Sequence, residues 1–149
     1  IESMFFTQTI VCLWLSLGGL LFAVGIIPSL LEGMRRFLTN AGRATFSVAA
    51  TAVGVNVLIG EQYLSILLSG ETFKPVYDKL GLHPRNLSRT LEDAGTVINP
   101  LVPWSVCGVF ISQVLGVPVW DYLPYAFFCY LCLILTLLFG WSGLTLSKK

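Results

Sequence analysis

Charge is what this sequence has least of. Of its 149 residues only 11% are charged against 55% hydrophobic, and the mean hydropathy is +0.79, which excludes an ordinary soluble domain and indicates a membrane protein. Histidine occurs once, as His83. No H-E-x-x-H, Ser/His/Asp or paired-Asp arrangement is found, which argues against an intramembrane enzyme. With a net charge of +1 and no long like-charge run, nothing suggests a nucleic-acid partner or a charged tail. The four cysteines, Cys12, Cys107, Cys129 and Cys132, all lie in apolar stretches, where a thiol behaves as a small hydrophobe. Cys129 and Cys132 form C-x-x-C, but without a second pair or a βαβ pattern they indicate neither zinc nor redox chemistry, and no cofactor is expected.

What is present is a series of apolar runs. Residues 5–31 form an uncharged stretch of about 27 residues, enough for one tilted transmembrane helix at a rise of ~1.5 Å per residue. Its Gly18, Gly19 and Gly25 suit close helix packing, and Pro28 a kink near its end. Residues 46–70 are also long enough to span, yet they carry Gly54, Asn56, Gly60, Glu61 and Gln62 in their middle. A glutamate at such depth costs about 2.5 to 3.5 kcal/mol unless it faces a partner or water. The glycines on either side of Asn56 predict an unwound turn, so this segment is expected to be a hairpin or an interrupted helix.

Residues 71–92 mix charge with Phe73, Val76, Tyr77, Leu80, Leu82, Leu87 and Leu91, the pattern of an interfacial segment in two short helices split at Gly81 and Pro84. Residues 94–117 form a transmembrane span broken early by Gly95, Asn99-Pro100 and Pro103. Residues 123–141 form a continuous one, flanked by Trp120, Tyr122, Tyr125 and Trp141 as an aromatic belt. The basic residues cluster at Arg35, Arg36 and Arg43, at Lys74, Lys79, Arg85 and Arg89, and at Lys148 and Lys149. A re-entrant hairpin at 46–70, with its tip between Gly54 and Gly60, would bring all of them to one face, as the positive-inside bias favours. The chain starts on Ile1, so a piece of a longer protein is expected.

Two interrupted segments with carboxylates at their breaks fit the binding site of a secondary transporter. Unpaired carbonyls at such breaks replace part of the water shell of a small hard cation, and Asn56, Gln62, Thr96, Asn99 and Ser105 offer neutral oxygens. Glu61, Glu92 and Asp93 are the candidate charges, for which Na⁺ and H⁺ would compete. Plainer roles stay open: Asp93 as an N-cap, and Glu92 as a surface partner of Arg89. Glu61 has fewer alternatives. Asp78, Glu71 and Asp121 read as solvated.

The stretches GVNVLIGEQYLSILLSG (54–70), LEDAGTVINPLVPWSVCG (91–108) and LGVPVWDYLPYAFF (115–128) resemble the C-terminal part of NhaC-type Na⁺/H⁺ antiporters. The family motifs are similar to N-x-x-T-G-[DE]-Q-Y and E-D-[SA]-G-T-x-x-x-x-L-[IV]-P-W. The resemblance implies an all-α polytopic membrane protein of two inverted repeats, this chain supplying the hairpin and broken helix of the second. It carries Asn56, Glu61 and Gln62 from the first motif, and Glu92, Asp93, Thr96 and Pro103 from the second. Ile59 stands where the family often has Thr, and Asn99-Pro100 where a small residue is common. The implied function is exchange of Na⁺, or Li⁺, for H⁺ by a multi-pass protein of the plasma membrane. Its partners would be the bilayer and the rest of the transporter, with a homodimer left open. The alternatives are Na⁺- or H⁺-coupled exchange of organic acids such as malate and lactate on the same fold, and a non-transporting membrane scaffold.

Overall fold

The computed structural model describes residues 2–35, 40–143 and 146–147, and among them every regular element is helical. The first apolar run is divided rather than continuous. Helix α1 (Glu2–Ala23) gives way to α2 (Ile26–Arg35) at Gly25, which adopts the left-handed conformation at φ 86° that a side chain would resist.

Helix α3 (Ala41–Ile59) is followed directly by α4 (Gln62–Lys79). Ala44, Val48 and Ala49 of α3 share a buried cluster with Phe73 and Tyr77 of α4, and nearer the turn the Ser65 hydroxyl donates to the Ala52 carbonyl at 2.6 Å. The two helices are therefore antiparallel. The turn lies at Gly60 and Glu61, at the far end of the expected Gly54 to Gly60 interval: Gly54 and Asn56 are helical. An isolated glycine weakens a helix but does not end one when flanking residues pack on both sides.

The expected boundary at residue 70 is also absent. Residues 71–79 continue α4, with Pro75 inside it. After Gly81 (φ 65°) the short helix α5 (Pro84–Leu91) runs straight into the second break. Phe73, Tyr77, Leu82, Leu87 and Leu91 are buried with α3 in the largest apolar cluster. This segment is core on one side, not only a surface layer, because its apolar residues recur at helical spacing toward α3.

Helix α6 (Val106–Leu115) follows the break, then α7 (Val119–Tyr122), a 3₁₀ turn at Leu123–Tyr125 and α8 (Phe127–Ser142). The last apolar run thus begins with a bend at Ala126, between the 3₁₀ turn and α8, rather than continuing unbroken. Helix α8 packs on α3 where small residues let the backbones approach: a Cβ on Gly140 would overlap Thr45, and one on Gly42 would lie 3.2 Å from the Trp141 Cα. Among the described residues, α3 alone is a single helix long and apolar enough to cross a membrane, and two bent pairs could each do so as one broken span: Pro84–Leu101 with Val106–Leu115 (46°) and Val119–Tyr125 with Phe127–Ser142 (56°). Of the basic clusters, Arg36, Lys148 and Lys149 lie outside the described residues, as does the side chain of Arg35.

Candidate ion site at two helix breaks

The first break is compact. The Gly60 amide still donates to the Asn56 carbonyl at 2.7 Å, closing α3, while its left-handed backbone (φ 72°, ψ 13°) turns the chain. Glu61 is extended and caps α4, its Oε2 accepting from the Leu64 amide at 3.0 Å. Only 4% of Glu61 is exposed. A carboxylate accepting a backbone N–H at a helix N-terminus gains from both the hydrogen bond and the helix dipole, which offsets part of its desolvation. Gly60 leaves little room for a side chain: a Cβ there would lie 3.2 Å from the Trp104 carbonyl and 3.3 Å from the Trp14 ring.

The second break is drawn out. Helix α5 widens into a π-helical turn at Glu92–Thr96, closed by the Val97 amide donating to the Glu92 carbonyl five residues back at 3.1 Å. A 3₁₀ turn at Asn99–Leu101 and extended Val102 follow. Each device leaves backbone groups without helical partners, as Pro100 and Pro103 require. Ser105 restarts the helix: its hydroxyl accepts from the Gly108 amide at 2.9 Å and donates to the Asn99 carbonyl at 2.6 Å.

Two asparagines join the breaks. Asn56 and Asn99 are both fully buried, and the Asn99 Nδ2 donates to the Asn56 Oδ1 at 2.6 Å. The Asn56 Nδ2 donates to the Gly95 carbonyl in the π turn, and the Asn99 Oδ1 accepts from the Cys107 amide at 3.2 Å. Around them the Val106 amide donates to the Gly60 carbonyl at 3.0 Å and the Trp104 indole to the Val57 carbonyl at 2.7 Å. The start of α6 is thereby fastened to the turn of the hairpin. Inside an apolar protein each of these groups would cost about 1 to 3 kcal/mol if left unpaired, so the network fixes the two breaks relative to each other.

Of the residues read from the sequence, Asn56, Asn99, Gly60, Gly95 and Ser105 thus meet. Glu61 is buried at the hairpin turn, within electrostatic reach of Cys107. Asp93 is half-buried, and its Oδ2 accepts from the Thr136 hydroxyl of α8 rather than capping a helix start. Glu92 is exposed, and Gln62 and Thr96 are half-buried. Pro100 is held through its carbonyl by the Tyr122 hydroxyl at 2.5 Å, and Pro103 is half-buried. Gly54 belongs to the straight part of α3. Among the described residues no three His, Cys, Asp or Glu side chains cluster.

Sequence reasoning passed over Ser65, Trp104 and Thr136. The only local signal for Thr136 is a hydroxyl within a run of apolar and aromatic residues, and that signal does not name its partner.

The sequence model of the Na⁺/H⁺ antiporter family matches residues 1–144. The chain is 48% identical over all its 149 residues to a Na⁺/H⁺ antiporter NhaC of Alkalihalophilus pseudofirmus, covering 32% of that protein. It is 43% identical over 140 residues, 94% of the chain, to a Na⁺/H⁺ antiporter NhaC of Bacillus subtilis, covering 31% of it. A third relative, at 38% identity over the whole chain and 31% of its own length, is an arginine/ornithine antiporter, ArcD, of Halobacterium salinarum. The chain therefore spans about a third of the length of the curated relatives it matches. No solved structure matches it. An all-helical, strongly apolar chain whose motif residues meet at two helix breaks, matched along nearly its whole length, belongs to the Na⁺/H⁺ antiporter family.

Proposed function

We propose that the protein exchanges Na⁺ for H⁺ across the plasma membrane as a multi-pass secondary transporter, and that this chain supplies one wall of its ion pathway. The observation that carries the reading is the Asn56–Asn99 bridge between two helix breaks, with the buried Glu61 carboxylate at one break and Asp93 at the other. Broken helices and a few oxygens of mixed charge are what a small cation needs inside an apolar protein, and carboxylates there let a proton compete with it. The α3–α4 hairpin would be re-entrant, and the chain half of an inverted repeat completed by the rest of the transporter. No resident cofactor is needed; Na⁺, or Li⁺, and H⁺ are the cargo.

The test is Na⁺ uptake by the full-length protein in proteoliposomes under an imposed pH gradient. Glu61→Gln and Asp93→Asn should each abolish coupled exchange, since the amide keeps shape but neither releases a proton nor offers charge. Near-normal uptake in both variants would place the proton elsewhere. Labelling of single cysteines at positions 43 and 74 from either side of sealed vesicles tests the re-entrant hairpin; access from opposite sides excludes it.

A second reading, exchange of organic solutes such as organic acids on the same fold, is supported by the arginine/ornithine antiporter among the relatives. Counterflow of an amino acid or carboxylate without Na⁺-linked proton movement would favour it. A scaffold role would give neither flux.

A further inference from the structure

Hydroxyl-bearing residues inside a helix ordinarily return their one O–H to the carbonyl four residues back, which satisfies them without any outside partner. Several here do so: Thr9 to Phe5 at 2.9 Å, Ser16 to Cys12 at 2.7 Å, Thr45 to Ala41 at 3.1 Å and Thr90 to Asn86 at 2.9 Å. Thr136 does not. It is buried in α8, with 3% of its surface exposed, and it spends its proton on the Oδ2 of Asp93, a residue 43 positions away in the π turn.

Both ends of that bond are held by packing that does not involve them. Helix α8 is set against α3 by the close contact of Gly140 with Thr45, one turn beyond Thr136. The π turn is anchored to α3 by Asn56 through the Gly95 carbonyl. The side chain of Asp93 sits between these two anchors, and a half-exposed carboxylate on an irregular turn has several rotamers open to it. A donor on Oδ2 restricts the rotation of the carboxylate and therefore the direction in which Oδ1 is offered.

We infer that Thr136 is a positioning residue for the transported monovalent cation: from α8 it holds the Asp93 carboxylate in its binding orientation without touching the ion. The inference rests on the reading of Asp93 as an ion ligand. It makes α8 part of the site, although none of its residues carries a charge.

The experiment compares Asp93→Asn, Thr136→Val, Thr136→Ala and Thr136→Ser in full-length protein reconstituted in proteoliposomes, with the initial rate of exchange measured against Na⁺ concentration. Valine keeps the shape of threonine and removes the hydroxyl; serine keeps the hydroxyl and removes the methyl. Thr136→Val should raise the KM for Na⁺ about tenfold, as expected for a lost hydrogen bond to a charged group, with the maximal rate within about twofold. Thr136→Ser should stay within about twofold of the parent KM, since its hydroxyl can still donate. If the valine variant does not fold, Thr136→Ala against Thr136→Ser makes the same comparison. An unchanged KM in Thr136→Val or Thr136→Ala, with exchange lost in Asp93→Asn, overturns the positioning role alone. Equal impairment in the serine and valine variants means packing rather than the hydroxyl matters and also overturns it. Normal exchange by Asp93→Asn removes the reading of Asp93 itself, and the inference with it.

Discussion

The two helix breaks are built by opposite means. At Gly60 and Glu61 the chain reverses within two residues, using one left-handed glycine and one capping carboxylate, and the turn is closed by local bonds. Between Glu92 and Ser105 the helix is loosened over a π turn, a 3₁₀ turn and an extended residue, and its polar groups find partners in Asn56 and in its own serine cap. The first break would keep its shape from local geometry. The second depends on the first, because Asn56, one turn before the hairpin, supplies the bond to the Gly95 carbonyl and the acceptor for Asn99. A site built this way has a rigid half and a half that rigidity is lent to, which is how an ion site can be ordered without a cluster of charge.

If that dependence is right, the largest effect on stability comes from the asparagines. Asn56→Leu leaves the Gly95 carbonyl and the Asn99 amide without partners and should destabilise the full-length protein by about 1 to 3 kcal/mol, read as a lower unfolding midpoint in detergent. Asn99→Leu should cost a similar amount, and the double variant less than the sum because the two share one bond. Additive losses would break the comparison.

Next in size is Gly60→Ala. A side chain at φ 72° beside the Trp104 carbonyl and the Trp14 ring should cost about 1 to 2 kcal/mol from backbone strain alone. Gly54→Ala sharpens the contrast. Gly54 is helical, with open space where its Cβ would be, so alanine should be neutral or raise stability by about 0.5 to 1 kcal/mol. A Gly54→Ala variant as damaged as Gly60→Ala would mean that the hairpin turns earlier than the structure has it. Smallest is Asp121→Asn. Asp121 is exposed on α7, away from both breaks in sequence, and its loss should leave Na⁺ uptake and the unfolding midpoint unchanged.

Much of the architecture was legible beforehand. Proline cannot donate to a helix ladder, so Pro100 and Pro103 announced the second break wherever the rest of the chain lay. A glutamate in an apolar run announced a special environment at residue 61. The hairpin turn was legible only to within a few residues: Gly54 and Gly60 look alike in sequence, and the difference lies in what packs on each. Gly60 takes its left-handed turn close against α1 and the residues before α6, where a side chain would be crowded, whereas Gly54 has open space around it and α3 runs on through it. The charges of the run 71–92 are conspicuous in sequence and point to an interfacial segment; its apolar residues become core only because α3 lies beside them.

By itself, then, the sequence determined the helical, membrane-embedded character of the chain, the presence of two interruptions and the motif residues that identify its family, since all of these depend on composition and on neighbours close along the chain. Tertiary structure decided which oxygens meet. The Asn56–Asn99 bridge spans 43 residues, as does the Thr136–Asp93 bond. No local propensity encodes such pairings; they form because α8 and the π turn are both packed against α3, and a buried polar group must take whatever partner that packing brings within reach.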